Sequence, residues 1–182
     1  TGTGGLAISR DFDAARLPPL IQGGTGSRSE QEVQPEFLPD KYEAGTPNIV
    51  GLAGLATSVR FVLGRGVEQI REHERFLTQR LIDGLQNIPD VHVFGTRDAR
   101  RQTACVAFTI DGRSVSDVAQ TLDEQFGILC RAGLHCAPQA HRTLGTFPHG
   151  TLRFAPGFFS TLVEIEQALD AIARVAGAAA RG

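Results

Sequence analysis

The apolar positions of this chain change their period along its length, and the changes mark its elements. A short run, Leu6-Ala7-Ile8-Ser9, follows the glycine turn Thr1-Gly2-Thr3-Gly4-Gly5 and reads as a strand. Residues 11–47 show no period. Pro, Gly, Ser and Glu dominate there, with Gln22-Gly23-Gly24-Thr25-Gly26-Ser27 at the centre, which predicts a long loop of the kind that is functional or disordered. Asn48 is placed to cap a helix starting at Ile49, whose small residues, Gly51 and Gly54 among them, predict close packing against another element. After Gly64-Arg65-Gly66 a second helix is expected as far as about Asn87. Ile70, Phe76, Leu77, Leu81, Ile82 and Leu85 fall at helical spacing in it, and Pro89 ends it.

Beyond Pro89 short apolar runs alternate with amphipathic ones. Strands are expected at 91–94, 103–110, 128–131 and 151–154, and helices over 114–126 and about 161–175. Helices on one face of a small sheet make an α/β unit of the α+β kind. The expected organisation is therefore connecting helices over 51–88, a small C-terminal domain over 89–176, and a frayed tail over 177–182.

Composition removes whole classes of function. With 41% hydrophobic and 21% charged residues the chain has a globular profile, and no apolar run reaches the length of a bilayer span. Net charge is −2 and the basic residues are scattered, so neither membrane nor nucleic acid is expected as a partner. Three cysteines without CxxC spacing fit reduced thiols and a cytoplasmic location. There is no methionine, which predicts that these residues are not a complete translation product, and Lys41 is the only lysine. Bracketed by acids and prolines, Lys41 reads as a surface residue and not as a desolvated Schiff-base amine.

The densest polar constellation is Arg131-Ala132-Gly133-Leu134-His135-Cys136-Ala137-Pro138. A thiol becomes a nucleophile when its thiolate is favoured, and Arg131 and His135 are neighbours of the type that favours it. The alternative is a small buried cysteine, the reading adopted for Cys105 and Cys130 inside their apolar strands. His135, Cys136, His141 and His149 lie close in sequence but lack paired metal-ligand spacing, so no metal is expected. Arg153, flanked by apolar residues on a strand, needs an anion: an internal carboxylate or that of a ligand. The loop containing Gly24 and Thr25 offers amides and hydroxyls to a phosphate or is merely solvated. Its glycines do not follow a strand and open a helix, so it is not a dinucleotide fingerprint.

Five segments occur together in order: Gly2-Thr3-Gly4-Gly5-Leu6; Gln22-Gly23-Gly24-Thr25-Gly26-Ser27; Tyr42-Glu43-Ala44-Gly45-Thr46-Pro47-Asn48; Arg131-Ala132-Gly133-Leu134-His135-Cys136-Ala137; and Arg153-Phe154-Ala155-Pro156-Gly157-Phe158-Phe159. This series resembles the cysteine desulfurase family of class V aminotransferases. The resemblance implies the C-terminal portion of a fold-type I pyridoxal-phosphate (PLP) transferase: a three-layer sandwich remnant with its active-site loop in residues 1–50, plus the small α/β domain. It implies Cys136 as the cysteine that takes sulfur from L-cysteine as a persulfide, releasing alanine. Arg153 is implied as the arginine for the substrate carboxylate, with Arg131 and His135 matching the cysteine motif. Thr25 and Gly24 are implied to reach the PLP phosphate of a neighbouring subunit in a homodimer.

The lysine that carries PLP would fall just upstream of Thr1. The fragment alone is therefore expected to be inactive and to associate with its missing N-terminal part or another copy, and a sulfur-acceptor protein is a further expected partner. The alternatives are a related class V enzyme, such as a selenocysteine lyase or an aminotransferase-like protein, and a non-catalytic dimerisation or partner fragment.

Overall fold

The computed structural model describes residues 2–24 and 26–177, and the chain divides into two compact units at Arg65. The first unit is an ordered loop with short 3₁₀ turns at Ala14–Arg16, Gly26–Arg28 and Asp40–Tyr42, followed by helix α1, Ile49–Arg65. Asn48 caps α1 as expected, its Oδ1 accepting from the Gly51 amide at 3.0 Å. Residues 6–9 do not form the expected strand. An extended segment keeps a strand's geometry when a neighbour takes up its amides, and the described residues of this unit supply none.

The long loop is held by polar groups in place of an apolar core. Lys41, expected on the surface, is 2% exposed. Its Nζ donates to Glu36 Oε2 at 2.7 Å and to the Ala14 carbonyl at 3.2 Å, while the Tyr42 hydroxyl lies 3.0 and 2.8 Å from the carbonyls of Ala14 and Leu17. Gln34, also buried, donates to the carbonyls of Asp40 and Glu43. The acids and prolines around Lys41 thus fold over it, because the loop carries backbone carbonyls that need a donor.

The second unit contains α2 (Val67–Gln86), β1 (Val91–Phe94), β2 (Val106–Ile110), α3 (Val115–Phe126), β3 (Arg131–Gly133), α4 (Pro138–Leu144), β4 (Thr151–Phe154) and α5 (Leu162–Gly177). The four strands form one antiparallel sheet in the order β1-β2-β4-β3. Helices α2 and α3 pack on the sheet and α5 packs against both, the layered α/β arrangement expected. Leu77, Leu81, Ile82 and Leu85 of α2, Val106, Phe108 and Ile110 of β2, Leu152 of β4 and Ile172 of α5 form the core. Alternate residues of β2 are buried, which is the period-2 signature of a sheet covered on one face. Thr161 and Glu164 close a capping box at the start of α5: Glu164 Oε2 accepts from the Thr161 amide at 2.7 Å, and Thr161 Oγ1 accepts from the Glu164 amide at 3.2 Å.

One strand is shorter than the apolar run that predicted it, and β3, expected at 128–131, is displaced to Arg131–Gly133. Thr103, Ala104 and Cys105 precede β2 in a loop, and Cys105 is exposed, not a core residue. Cys130 precedes β3 and is half-buried against the core, where burial raises its thiol pKa.

Candidate functional site

Strands β3 and β4 and the loop between them, residues 134–150, bring the sequence-predicted residues of this unit together. The register sets Gly133 opposite Thr151, Ala132 opposite Leu152, and Arg131 opposite Arg153. Since Leu152 faces the core, the alternate positions, Arg131, Thr151 and Arg153, lie on the other face of the sheet. Among the described residues neither Arg131 nor Arg153 has a carboxylate within ion-pair distance. The internal salt bridge considered for Arg153 is absent. Two guanidiniums without a carboxylate partner, on residues directly across a ladder, are the residue types that suit an anion.

Gly150 fixes how tightly the loop returns. Its φ is +80°, and a Cβ there would overlap the backbone carbonyl of Gly133. Only glycine allows the two strand ends to close this far. The chain leaving Gly133 then makes two left-handed steps, His135 at φ 51° and Cys136 at φ 60°, before the Ala137 amide donates to the Leu134 carbonyl at 2.8 Å. Such conformations are uncommon for non-glycine residues and persist when their surroundings impose them. Cys136 is exposed at this turn. Pro138 opens α4, where its missing N–H costs nothing.

His135 folds back onto the sheet. Its Nε2 lies 3.3 Å from Thr151 Oγ1, and its Nδ1 is buried without a partner. Burial, the Arg153 guanidinium and then His141 hold its pKa below the ordinary 6.5. His135 is therefore a neutral ring near neutral pH, and the fixed positive charge in this part of the fold comes from Arg131 and Arg153. The sequence had suggested a His⁺ beside the thiol; the cost of charging a half-buried imidazole between two arginines overrides that.

Thr151 was not singled out from sequence, although its i, i+2 spacing from Arg153 was a readable sign that both share a face. His73 was also unforeseen. Its Nε2 is 2.9 Å from the Ser160 carbonyl and its ring meets Phe158 edge-on at 5.8 Å, which ties the segment after Arg153 to α2. Among the described residues no three His, Cys, Asp or Glu side chains converge as a metal site.

In the first unit the glycine-rich loop forms an open depression lined by Gly23, Gly24, Gly26, Ser29, Gly45 and Thr46. Gly24, at φ +60°, would drive a Cβ to within 2.7 Å of Gly45 Cα, while its carbonyl accepts from the Gly45 amide at 3.1 Å. The glycines leave backbone bare along part of this depression, where amides and the Ser29 and Thr46 hydroxyls suit an anion, while Gln31, Glu32 and Pro47 line the rest of it. Thr25, the other predicted cofactor residue, lies outside the described residues. Lys41, bonded to Glu36 and the Ala14 carbonyl and with its pKa raised chiefly by the hydrogen bond to Glu36, is held as a cation and not as a free amine.

A family model described as aminotransferase class-V matches residues 1–168. A probable cysteine desulfurase of Pyrococcus abyssi is 34% identical over 176 residues, covering 94% of this chain and 42% of that protein. Among solved structures, the apo cysteine desulfurase of Thermococcus onnurineus superposes with a TM-score of 0.72 at 33% identity, covering 77% of this chain and 34% of that one. The cysteine desulfurase CsdA of Escherichia coli superposes with a TM-score of 0.75 at 27% identity, covering 88% and 39%. The chain thus spans about two fifths of the length of the curated relative.

Proposed function

Because the chain belongs to the class-V aminotransferase family, we propose that it works as the C-terminal part of a PLP-dependent cysteine desulfurase, with L-cysteine as substrate and Cys136 as the sulfur acceptor. The observation that carries this reading is the unpartnered pair Arg131 and Arg153, directly opposite each other on the strands that bound the loop of an exposed thiol. Arg153 receives the substrate carboxylate through its planar fork, and Arg131 adds positive charge beside it.

The transfer itself is a displacement at sulfur. The Cys136 thiolate attacks the sulfur of L-cysteine, a sulfur–sulfur bond forms as the carbon–sulfur bond breaks and leaves its electron pair on the substrate carbon, and protonation of that carbon gives alanine beside a Cys136 persulfide. Bound PLP supplies an electron sink for the charge left when the substrate Cα proton departs. Gly24 and Thr25 would hold the PLP phosphate, in a homodimer that of the partner subunit's cofactor. The lysine that carries PLP is not Lys41, whose amine is already committed to Glu36, so it belongs to polypeptide outside these residues. The contribution of this chain is placement: a carboxylate fixed by arginine and a thiol fixed by a constrained turn.

Three free thiols support a reducing compartment such as the cytoplasm. The exposure of Cys136 suits delivery of the persulfide sulfur to an acceptor protein. The test is Cys136→Ser in the PLP-loaded holoenzyme: sulfur release from L-cysteine is lost if the reading holds, and release at the wild-type rate rejects it.

A further inference from the structure

His141 takes no part in the transfer just described, yet it is the one buried ionisable side chain of the loop 134–150, at 4% exposure. Its Nδ1 lies 2.7 Å from Thr146 Oγ1, and its carbonyl accepts from the amides of Thr146 and Phe147 at 2.9 and 3.2 Å. Its ring centroid is 5.7 Å from that of His135, with the planes inclined at 44°. His135 is held on one edge by Thr151, but its buried Nδ1 has no partner. A ring with an unsatisfied buried nitrogen gains by turning toward water unless packing prevents it. The His141 ring is what packs against it.

We infer that His141 is a positioning residue for sulfur transfer. It acts through His135, holding that ring on the sheet and with it the left-handed backbone step that presents Cys136. This rests on the reading of Cys136 as the sulfur acceptor. The groups that face His135 are Arg131 of β3, Thr151 and Arg153 of β4, and His141 of α4. All but the threonine are basic, so this neighbourhood disfavours a proton on His135, and His141 is its one member whose ring packs on that of His135.

The test uses isotope-labelled histidine NMR to follow the His135 titration, together with the iodoacetamide alkylation rate of Cys136 resolved by peptide mass spectrometry. The comparison is of His141→Asn, which keeps a polar partner for Thr146 but loses the ring, and His141→Phe, which keeps a ring and loses its nitrogens. His141→Asn is expected to raise the His135 pKa toward 6.5 and to change the Cys136 rate several-fold, with the exposed Cys105 rate unaffected. His141→Phe is expected to raise the same pKa while keeping the Cys136 rate close to wild type. A wild-type Cys136 rate in the Asn variant overturns the inference, and should that variant fail to fold, a several-fold change of the Cys136 rate in the Phe variant, which keeps the ring, does so. Neither readout needs turnover. A Cys136 that takes no sulfur from L-cysteine would defeat the functional reading while leaving the coupling between the two histidines as measured.

Discussion

Arg131 and Arg153 lie opposite each other across the β3–β4 ladder, and among the described residues neither has a carboxylate within ion-pair distance. Like charges directly opposite on a sheet destabilise it, and the proposed function gives the pair a use, an anionic substrate carboxylate that offsets their repulsion. Arg153→Lys keeps the charge and removes the fork. It is expected to raise KM for L-cysteine in the holoenzyme by on the order of tenfold or more, from a charged hydrogen bond valued at about 1.5–3 kcal/mol. Steady-state kinetics checks this; an unchanged KM would mean that Arg153 does not hold the carboxylate.

Gly150 is expected to tolerate no side chain. Gly150→Ala combines a positive φ with a methyl group inside the Gly133 carbonyl, and strain of this kind costs about 1–3 kcal/mol. Denaturant unfolding should show the midpoint falling with an unchanged slope. A midpoint equal to wild type would show that the β3–β4 junction is not closed as tightly as described.

His135 makes stability depend on pH in a definite direction. Its pKa is lowered in the fold from the ordinary 6.5, so below that value the unfolded chain binds the proton that the folded chain refuses. Stability is therefore greatest above pH 6.5 and declines on acidification until the folded-state pKa is passed. His135→Gln removes that contribution. Unfolding midpoints taken from about pH 8 to about pH 5, the range in which an imidazole changes charge, should fall less steeply for the variant than for wild type. Parallel slopes would contradict the assignment.

Lys41 is expected to hold the loop of the first unit closed. In Lys41→Met the Ala14 carbonyl loses the Nζ donor and Glu36 loses its cation. The turn Ala14–Arg16 should then open more often, and trypsin should cut after Arg16 faster than in wild type. Equal cleavage rates would show that Tyr42 alone secures the turn.

Most elements of the second unit were legible because they have strong local signals: helical spacing in α2, Ser114 capping α3, the Thr161 and Glu164 box before α5, and alternation in β2; helix α4 was not foreseen, and β3 starts only at the last residue of the strand expected there. What was not legible depends on tertiary partners. The Cys105 run is as apolar as a strand but has no neighbour to pair with until Val106, and Lys41 looks solvated until the loop closes over it. At the site, residue types were readable and their states were not. That His135 is neutral follows from its burial beside Arg153 and His141, a relationship set by the β3–β4 register and by Gly150, not by adjacent sequence. Thr151 escaped notice because a threonine on a strand has no chemical signature of its own.

The central claim is that Cys136 is the atom to which sulfur is delivered. Its most direct test is a peptide mass measurement on the PLP-loaded holoenzyme after brief exposure to L-cysteine and trapping of thiols and persulfides by alkylation. The account predicts one additional sulfur atom on the peptide that contains Cys136, and none on those that contain Cys105 or Cys130. Alanine formation without added sulfur on Cys136, or sulfur carried on another cysteine, would contradict it.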